Sequence, residues 1–188
     1  MTDIAARHRD ALGATRRVVA GVGAHQWTEP TPCADWNVGE LLNHLVAGNW
    51  WAAELARGAT IDGVGSKLDG DQLGDDALNA YDRSADAAAA AFEAPGALDA
   101  PCAVSYGPVP GSVYAGHGFI DVLIHGWDLA VATGQDRALD PGLVDACWDV
   151  VEPQAALLHG SGAFGDEVAI SPNSDPQTRL LAALGRKG

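Results

Sequence analysis

The chain has 188 residues and a formal net charge of -14 at pH 7, from 11 Lys and Arg against 25 Asp and Glu. Because phosphate backbones and anionic lipids repel so acidic a protein, binding to nucleic acid or to a membrane surface is disfavoured. Hydrophobic residues at 47% and charged residues at 19% are typical of a globular protein rather than a disordered one. We expect one domain over residues 1–188.

Cysteine usage and the N-terminal segment indicate the cellular compartment. Cys33, Cys102 and Cys147 are widely separated, odd in number and without a CxxC pair, which favours a reducing environment. The N-terminal residues carry charges of both signs and no apolar segment, and no run of about 18 apolar residues follows. We therefore expect a cytoplasmic protein. The sequence leaves its oligomeric state open, with a homodimer as one alternative.

The first helix is predicted from imperfect helical spacing of apolar residues between Ile4 and Val22. A short connector follows it. Pro30 and Pro32 exclude helix from this connector because each lacks a backbone N–H and restricts the residue before it. The chain is thus expected to leave the first helix and reach the second through a rigid, extended segment.

The second helix has the clearest start signal in the chain. Asn37 is a good N-cap, and Glu40 three residues later completes the pattern of a capping box. Trp36 precedes the cap as a hydrophobic staple would. The helix is expected to end before Gly58, which suits the position after a helix C-terminus. It carries His44 on its apolar stripe.

The middle of the chain combines a loop, a helix and an extended excursion. Residues 59–74 are rich in glycine and predict a surface loop. Residues 75–92 form an alanine-rich run that predicts a third helix, ending before Pro95. Residues 100–111 read PCAVSYGPVPG after Ala100 and predict a short hairpin-like excursion, limited by its prolines.

The last third is again mainly helical. A strongly apolar fourth helix is expected from Ser112 to Gly134, and a fifth from Asp140, as N-cap before a proline, to about His159. Residues 164–170 favour a short strand, and a last short helix should run from Asp175 to Gly185. These elements predict an all-α protein: an antiparallel four-helix bundle with an extra C-terminal helix and the hairpin-like excursion.

A polar seam runs along the fourth helix. Its members are His117, Asp121, His125 and Asp128, spaced four, four and three residues apart and therefore on one side of the helix. Burying such groups without partners costs roughly 2–7 kcal/mol each on the harsher transfer scales. A divalent cation would remove that cost.

The second helix offers one further ligand, His44. Asp121 and His125 are an i, i+4 pair that reaches one metal ion from a single helix, and His44 would add a third ligand from across the interface. The alternative explanation is ordinary hydrogen bonding: a core histidine satisfied by its neighbours, and an N–H to carboxylate pair on the fourth helix. The spacing alone leaves both explanations open.

Other candidate residues have weaker support from the sequence. His117 is a fourth ligand or a neighbour of the ligands, and Asp128 either accepts an imidazole N–H or is an exposed carboxylate at the helix end. Cys33, near the start of the second helix, either lies close to the site or is a buried, inert thiol, which is the favoured interpretation. Four tryptophans could wall an apolar pocket or belong to the core: Trp36, Trp50, Trp51 and Trp127. Three histidines should lie outside the seam, in loops or at helix ends: His8, His25 and His159.

At these residues the chain resembles the DinB-like metal-binding superfamily, in its actinobacterial branch related to the N-terminal domain of mycothiol-dependent maleylpyruvate isomerase. The resemblance spans nearly the whole chain. It is carried by TPCADWNVGELLNHLVAGNWW at 31–51, FIDVLIHGWDLAVATGQ at 119–135 and DPQTRLLAALGRKG at 175–188.

The resemblance implies a four-helix bundle that holds a divalent metal, often zinc, through a histidine of the second helix and an acid-x-x-x-His pair of a later helix. Those roles fall on His44, Asp121 and His125. It also implies metal-assisted activation of a small thiol such as mycothiol. We expect no large domain after the bundle like the one the isomerase carries, so isomerisation of maleylpyruvate is not transferred.

Two functional hypotheses follow. The first is a metal-dependent enzyme, a thiol-dependent transferase or isomerase with an unknown small substrate, in which zinc or nickel lowers the pKa of a bound thiol. His117 and Asp128 are its tentative catalytic groups. The second is a non-catalytic metal-binding or stress-response protein in which the metal is structural or orders a ligand pocket. An open coordination position would favour the first, and a closed set of four protein ligands the second.

Overall fold

Helices account for most of the residues that the computed structural model describes, which are 3–34, 36–154 and 165–187. The elements in chain order are α1 Ile4–Ala20, α2 Val38–Ala56, α3 Ile61–Val64, α4 Ala77–Glu93, β1 Pro101–Val104, β2 Gly107–Pro110, α5 Gly111–Thr133, α6 Pro141–Val151 and α7 Pro176–Ala183. The chain separates into two compact units, residues 1–136 and 137–188. The single domain expected from the sequence stays a prediction.

Side-chain caps begin the helices where the sequence predicts them. In α2 the amide of Glu40 donates to Asn37 Oδ1 over 3.0 Å, and the amide of Asn37 donates to Glu40 Oε2 over 2.9 Å. The capping box is therefore confirmed. The long helix α5 ends at Gly134, which adopts a left-handed conformation with φ of 68°, as expected for a residue that ends a helix.

The four long helices of the first unit pack in a closed circuit. Helix α1 contacts α5 and α4, and α2 contacts α4 and α5. Fully buried side chains from these helices fill the space between them: Leu41, Leu42, Leu45, Tyr81, Phe92, Phe119, Ile120, Leu123, Ile124 and Leu129. The buried Tyr81 hydroxyl donates to the Leu12 carbonyl over 3.1 Å, which satisfies the polar atom of that ring.

A close approach of α1 to α5 fixes the position of the polar seam. A Cβ atom placed on Gly126 would lie 2.2 Å from Thr15 Oγ1, so this position in α5 admits only glycine without movement of α1. The Thr15 hydroxyl donates to the Val122 carbonyl over 2.9 Å. The two helices are thus held together directly beside His125.

The hairpin-like excursion predicted over residues 100–111 is confirmed. Strands β1 and β2 pair antiparallel, with Cys102 opposite Val109. The hairpin contacts α2 and α5, and the buried Cys102 side chain lies on its inner face. Tyr106 stands at the turn and is 62% exposed. The hairpin therefore presents an aromatic side chain near the start of α5.

Two boundary predictions need correction. The predicted loop over residues 59–74 contains helix α3, which Thr60 caps through a hydrogen bond from the Gly63 amide. Helix α6 ends at Val151 and is followed by the 3-10 helix Glu152–Gln154, because Pro153 cannot donate an α-helical hydrogen bond. The remainder of the predicted fifth helix, up to His159, lies outside the described residues.

The second unit is built from α6 and α7, which pack against each other. The short strand predicted from the sequence is wrong for residues 165–170, which do not form a strand. Instead, the Val168 amide donates to the Ala182 carbonyl of α7 over 2.9 Å. Phe164, the first residue of that predicted strand, is not among the described residues. Asp175 caps α7 as predicted. No helix in the described ranges is both long and apolar enough to cross a membrane.

Candidate metal centre

Helices α2 and α5 bring the three predicted ligands together. His44 Nε2 lies 3.3 Å from Asp121 Oδ1, and His125 Nε2 lies 3.4 Å from the same oxygen. One ligand atom from each residue falls within 4.8 Å of the other two. A Cβ placed on Gly48, one turn beyond His44, would lie 3.9 Å from Asp121 Oδ2, at ordinary contact distance. The carboxylate therefore rests against the surface of α2.

The second nitrogen of His125 has a buried partner. Nδ1 lies 3.0 Å from Asp128 Oδ2, one turn along α5, and the Asp128 side chain is fully buried. Because a carboxylate only accepts, Nδ1 carries the proton, and the lone pair of a neutral ring is on Nε2. That lone pair faces Asp121. Asp128 is thus not an exposed carboxylate at a helix end.

The donor set fits a divalent cation. With His125 neutral, the Nε2 lone pair and Asp121 Oδ1 face each other across 3.4 Å, and two acceptors at this distance need a proton or a cation between them. Two imidazole nitrogens and one carboxylate oxygen are ligands that zinc takes in catalytic sites. The fixed tautomer of His125 suits such a ligand because a hydrogen bond to its far nitrogen orients the ring.

Without a metal, Asp121 and His125 each stabilise the charged form of the other. Burial opposes ionisation of Asp121, but the charge of His125 and hydrogen bonds from His125 and His44 outweigh it and hold the pKa of this carboxyl below its usual range. Burial likewise opposes protonation of His125. The charge of Asp121 and hydrogen bonds with Asp121, Asp128 and Cys33 outweigh it and raise the pKa of His125 well above its usual range. A proton thus occupies the position suited to a cation.

An aromatic side chain covers one side of the cluster. The ring of Trp36 stacks on His44, with ring centroids 4.4 Å apart and an angle of 25° between planes. It also meets the edge of His125 at 5.7 Å. His44 and Asp121 keep 34% and 33% of their side-chain surface exposed. The cluster is consequently reachable from solvent on one side and walled on the other.

Cys33 lies closer to the cluster than the sequence suggested. Its Sγ is 3.9 Å from His125 Nδ1, and Cys33, His125 and Asp128 form a second group whose ligand atoms lie within 4.8 Å of one another. The thiol is half-buried rather than enclosed in the core. The connector before α2 brings it there across 92 residues of sequence, a separation that no local pattern could reveal.

His117 lies apart from both groups. Its Nδ1 is 3.1 Å from the hydroxyl of Tyr106, at the turn of the hairpin. Within the described residues, His117 belongs to neither set of converging ligand atoms. It sits in the second turn of α5, one helical turn before Asp121.

The other histidines differ from expectation in one case. His25 is exposed, as predicted, and His159 is outside the described residues. His8, expected at a helix end, is instead 1% exposed in α1, edge-on to Phe92 with ring centroids 5.3 Å apart. Neither of its ring nitrogens has a hydrogen-bond partner in the part of the chain that the structure describes.

The four tryptophans are divided between site and scaffold. Trp36 covers His44, whereas Trp127 is 3% exposed and belongs to the core. Trp50 lines a separate groove beside Arg83, and Trp51 is half-buried in α2. Of the two interpretations that the sequence left open, the pocket wall therefore applies to Trp36 and the core to Trp127.

Comparison with known proteins agrees with this geometry. The helical packing and the His–Asp–His cluster define a helical protein with residues able to hold a metal ion. The family model described as the mycothiol maleylpyruvate isomerase N-terminal domain matches residues 8–130, a range that contains the whole cluster. The chain belongs to this family.

Proteins similar over most of the chain occur in Mycobacterium tuberculosis. Two curated proteins, from the strains CDC 1551 / Oshkosh and ATCC 25618 / H37Rv, are each 35% identical to this chain over 189 residues, covering 95% of both partners. Both are named only as uncharacterized proteins, so their names supply no activity. No solved structure matches the chain.

Proposed function

We propose that the chain is a divalent-metal-dependent enzyme that uses a small thiol, mycothiol or a similar one, to transfer or isomerise a small substrate. In this proposal His44, Asp121 and His125 hold the metal, zinc in the first place and nickel as the alternative. The observation that carries it is the convergence of two imidazole Nε2 atoms on Asp121 Oδ1, at 3.3 and 3.4 Å. The family match supports the thiol.

The metal, when bound, would act as a Lewis acid that lowers the pKa of a thiol and favours its thiolate near neutral pH. The protein's own part is to fix the ligands. Asp128 accepts the His125 Nδ1 proton and thereby keeps the Nε2 lone pair directed at the cluster. Trp36 holds the His44 ring by stacking and excludes water from that side. Three protein ligands leave room for an exogenous one.

His117 is the remaining candidate for proton transfer. It stands one helical turn before Asp121 on α5, and its Nδ1 lies 3.1 Å from the exposed Tyr106 hydroxyl. An imidazole ionises near neutral pH and is the side chain most often used as a general acid or base. We propose this role for His117, on a cytoplasmic enzyme whose first unit is an antiparallel four-helix bundle.

Metal analysis tests the proposal first. The purified protein should contain about one equivalent of zinc or nickel, because a preformed three-ligand site outcompetes water for such ions. His44→Ala and Asp121→Ala should lose the metal and keep their helical circular dichroism. His25→Ala, at an exposed histidine, is the control and should keep it.

The next step tests catalysis. Small thiols are added with electrophiles, and thiol consumption is followed with and without metal. Metal-dependent consumption supports the enzyme.

Retention of metal in both ligand variants, with its loss in His25→Ala, would exclude the proposed ligands. Unfolding of the ligand variants would instead favour the structural-metal alternative, since a structural metal contributes folding free energy directly.

A further inference from the structure

A groove adjoins the cluster at His44. Its volume is about 390 Å³, and its walls are formed by Trp36, Gly39, Glu40, Asn43, His44, Gly70, Asp71 and Leu73. His44 lies at its edge and is also a member of the ligand cluster. A thiol whose sulfur reaches the cluster therefore has space in this groove for the rest of the molecule.

The far wall of the groove is held in place by a single side chain of α2. Asn43 Nδ2 donates to the Gly70 carbonyl over 3.0 Å, and the Gln72 amide donates to Asn43 Oδ1 over 2.7 Å. Both functional atoms of the amide are used, so residues 70–72 are fixed at a definite distance from α2. The groove is consequently a built feature rather than a gap beneath a loose loop.

The charges on this groove are of one sign. Glu40 contributes a carboxylate from α2 and Asp71 contributes one from the opposite wall, and no Lys or Arg is among the described residues that line it. Each carboxylate is anchored: Glu40 Oε2 accepts from the Asn37 amide, and Asp71 Oδ1 accepts from the Leu73 amide at 2.8 Å. The net charge of -14 adds to the negative potential there.

We propose that this groove selects ligands of the metal centre by charge, accepting cationic and neutral head groups and disfavouring carboxylates. The inference rests on the proposed function and specifies its substrate class. The apolar surfaces of Trp36 and Leu73 allow an uncharged head group to bind, whereas an anionic head group would have to lie between Glu40 and Asp71 with no Lys or Arg beside it among the described lining residues. Glu40 and Asp71 are then specificity-determining residues.

The test uses the full chain loaded with cobalt(II) and three small thiols that differ in head-group charge. Cysteamine is cationic, mercaptoethanol is neutral and mercaptopropionate is anionic. Thiolate binding is followed by sulfur-to-cobalt charge-transfer absorption, which does not depend on turnover. We expect cysteamine to bind about tenfold more tightly than mercaptopropionate after correction for thiol pKa, on the order of two screened charge interactions.

Isosteric variants separate the groove from the thiols themselves. Asp71→Asn keeps the acceptor for the Leu73 amide and removes the charge, so the cysteamine to mercaptopropionate ratio should fall roughly threefold. Glu40→Gln should do the same while retaining the capping-box acceptor. The control is Asp69→Asn, which changes the net charge equally from a position that does not line the groove.

The outcomes distinguish the two levels of the proposal. If every thiol binds but the ratio is unaltered in Asp71→Asn and in Glu40→Gln, selection by the groove is wrong and the thiol site stands. If Asp69→Asn changes the ratio as much as Asp71→Asn, the effect belongs to overall charge, and the groove again has no part. If no thiol gives a charge-transfer band, both the inference and the thiol-dependent function are wrong.

Discussion

Two buried histidines of the first unit, His125 and His8, differ in almost everything except burial. His125 is 3% exposed and His8 is 1% exposed. His125 has a carboxylate near each ring nitrogen, at 3.4 and 3.0 Å, whereas His8 has no hydrogen-bond partner in the described part of the chain. Burial and the nearby Arg9 lower the pKa of His8 to about 4, while the pKa of His125 is raised.

The difference teaches that burial does not identify a ligand; converging partners do. An imidazole without partners stays neutral because the protein interior disfavours its charge. An imidazole between carboxylates accepts a positive charge, from a proton or from a metal ion. The two residues also show why one histidine on an apolar helix face is a weak sequence signal.

The largest expected effect contrasts His125→Ala with His8→Leu. His125→Ala should lower metal affinity by at least about a hundredfold, since two remaining ligands compete poorly with water. His8→Leu should leave metal affinity within a factor of two or so, because His8 is not a ligand. Isothermal titration with zinc measures both. Equal losses in the two variants would show that His8, not only His125, supports the metal.

Asp128→Asn should have the next largest effect. The amide keeps the shape of the carboxylate but weakens the hydrogen bond to His125 Nδ1, so we expect metal affinity to fall about 10–100-fold. The fold should persist because the substitution is isosteric. The same titration measures the change, with helical circular dichroism as the check on folding. Wild-type affinity in this variant would mean that Asp128 does not orient the ring.

Acid pH should destabilise the protein through His8. Its pKa is about 4 in the folded state against the ordinary histidine value of 6.5, so the unfolded chain binds a proton first as the pH falls. The stability that the neutral His8 ring contributes is complete above about pH 6.5 and is lost progressively towards pH 4. The loss amounts to about 2 kcal/mol of unfolding free energy between pH 7.5 and 5.

Urea unfolding at the two pH values measures this contribution, and His8→Leu isolates it. The variant should lose about 2 kcal/mol less than the wild type over the same interval. Metal is removed beforehand so that the ligand cluster contributes equally to both proteins. The same pH dependence in wild type and variant would assign it to other groups.

The smallest expected effect concerns the space around His8. A Cβ on Gly118 would lie 3.2 Å from His8 Nε2, whereas one on Gly13 would meet nothing within 4 Å. Gly13→Ala should stabilise α1 by up to about 1 kcal/mol through helix propensity. Gly118→Ala should be less stable than Gly13→Ala by about 1 kcal/mol, because the His8 ring has to move. Equal thermal stabilities would show that the ring moves freely.

Local signals account for what the sequence could predict. The capping box of Asn37 and Glu40, the end of α5 at Gly134 and the i, i+4 pair Asp121–His125 depend on residues close in sequence. The polar seam of α5 also needed a further ligand from a neighbouring helix, and His44, the only histidine of α2, could supply it.

Long-range contacts account for what the sequence could not predict. Cys33 reaches His125 across 92 residues, and His8 is enclosed by its packing against Phe92, 84 residues further along the chain like the Arg9–Glu93 pair beside it. Helix α3 is a single four-residue turn set by the Thr60 cap, too short for helical spacing to register. Each depends on tertiary packing rather than on local propensity.

X-ray absorption at the zinc edge tests the central assignment most directly, because His125 belongs to two possible ligand sets. Binding by His44, Asp121 and His125 predicts nitrogen and oxygen neighbours at about 2.0–2.2 Å, and no sulfur at about 2.3 Å until a thiol is added. The spectrum of Cys33→Ser should be the same. A sulfur neighbour in the thiol-free protein that disappears in Cys33→Ser would contradict the account and assign the metal to Cys33, His125 and Asp128.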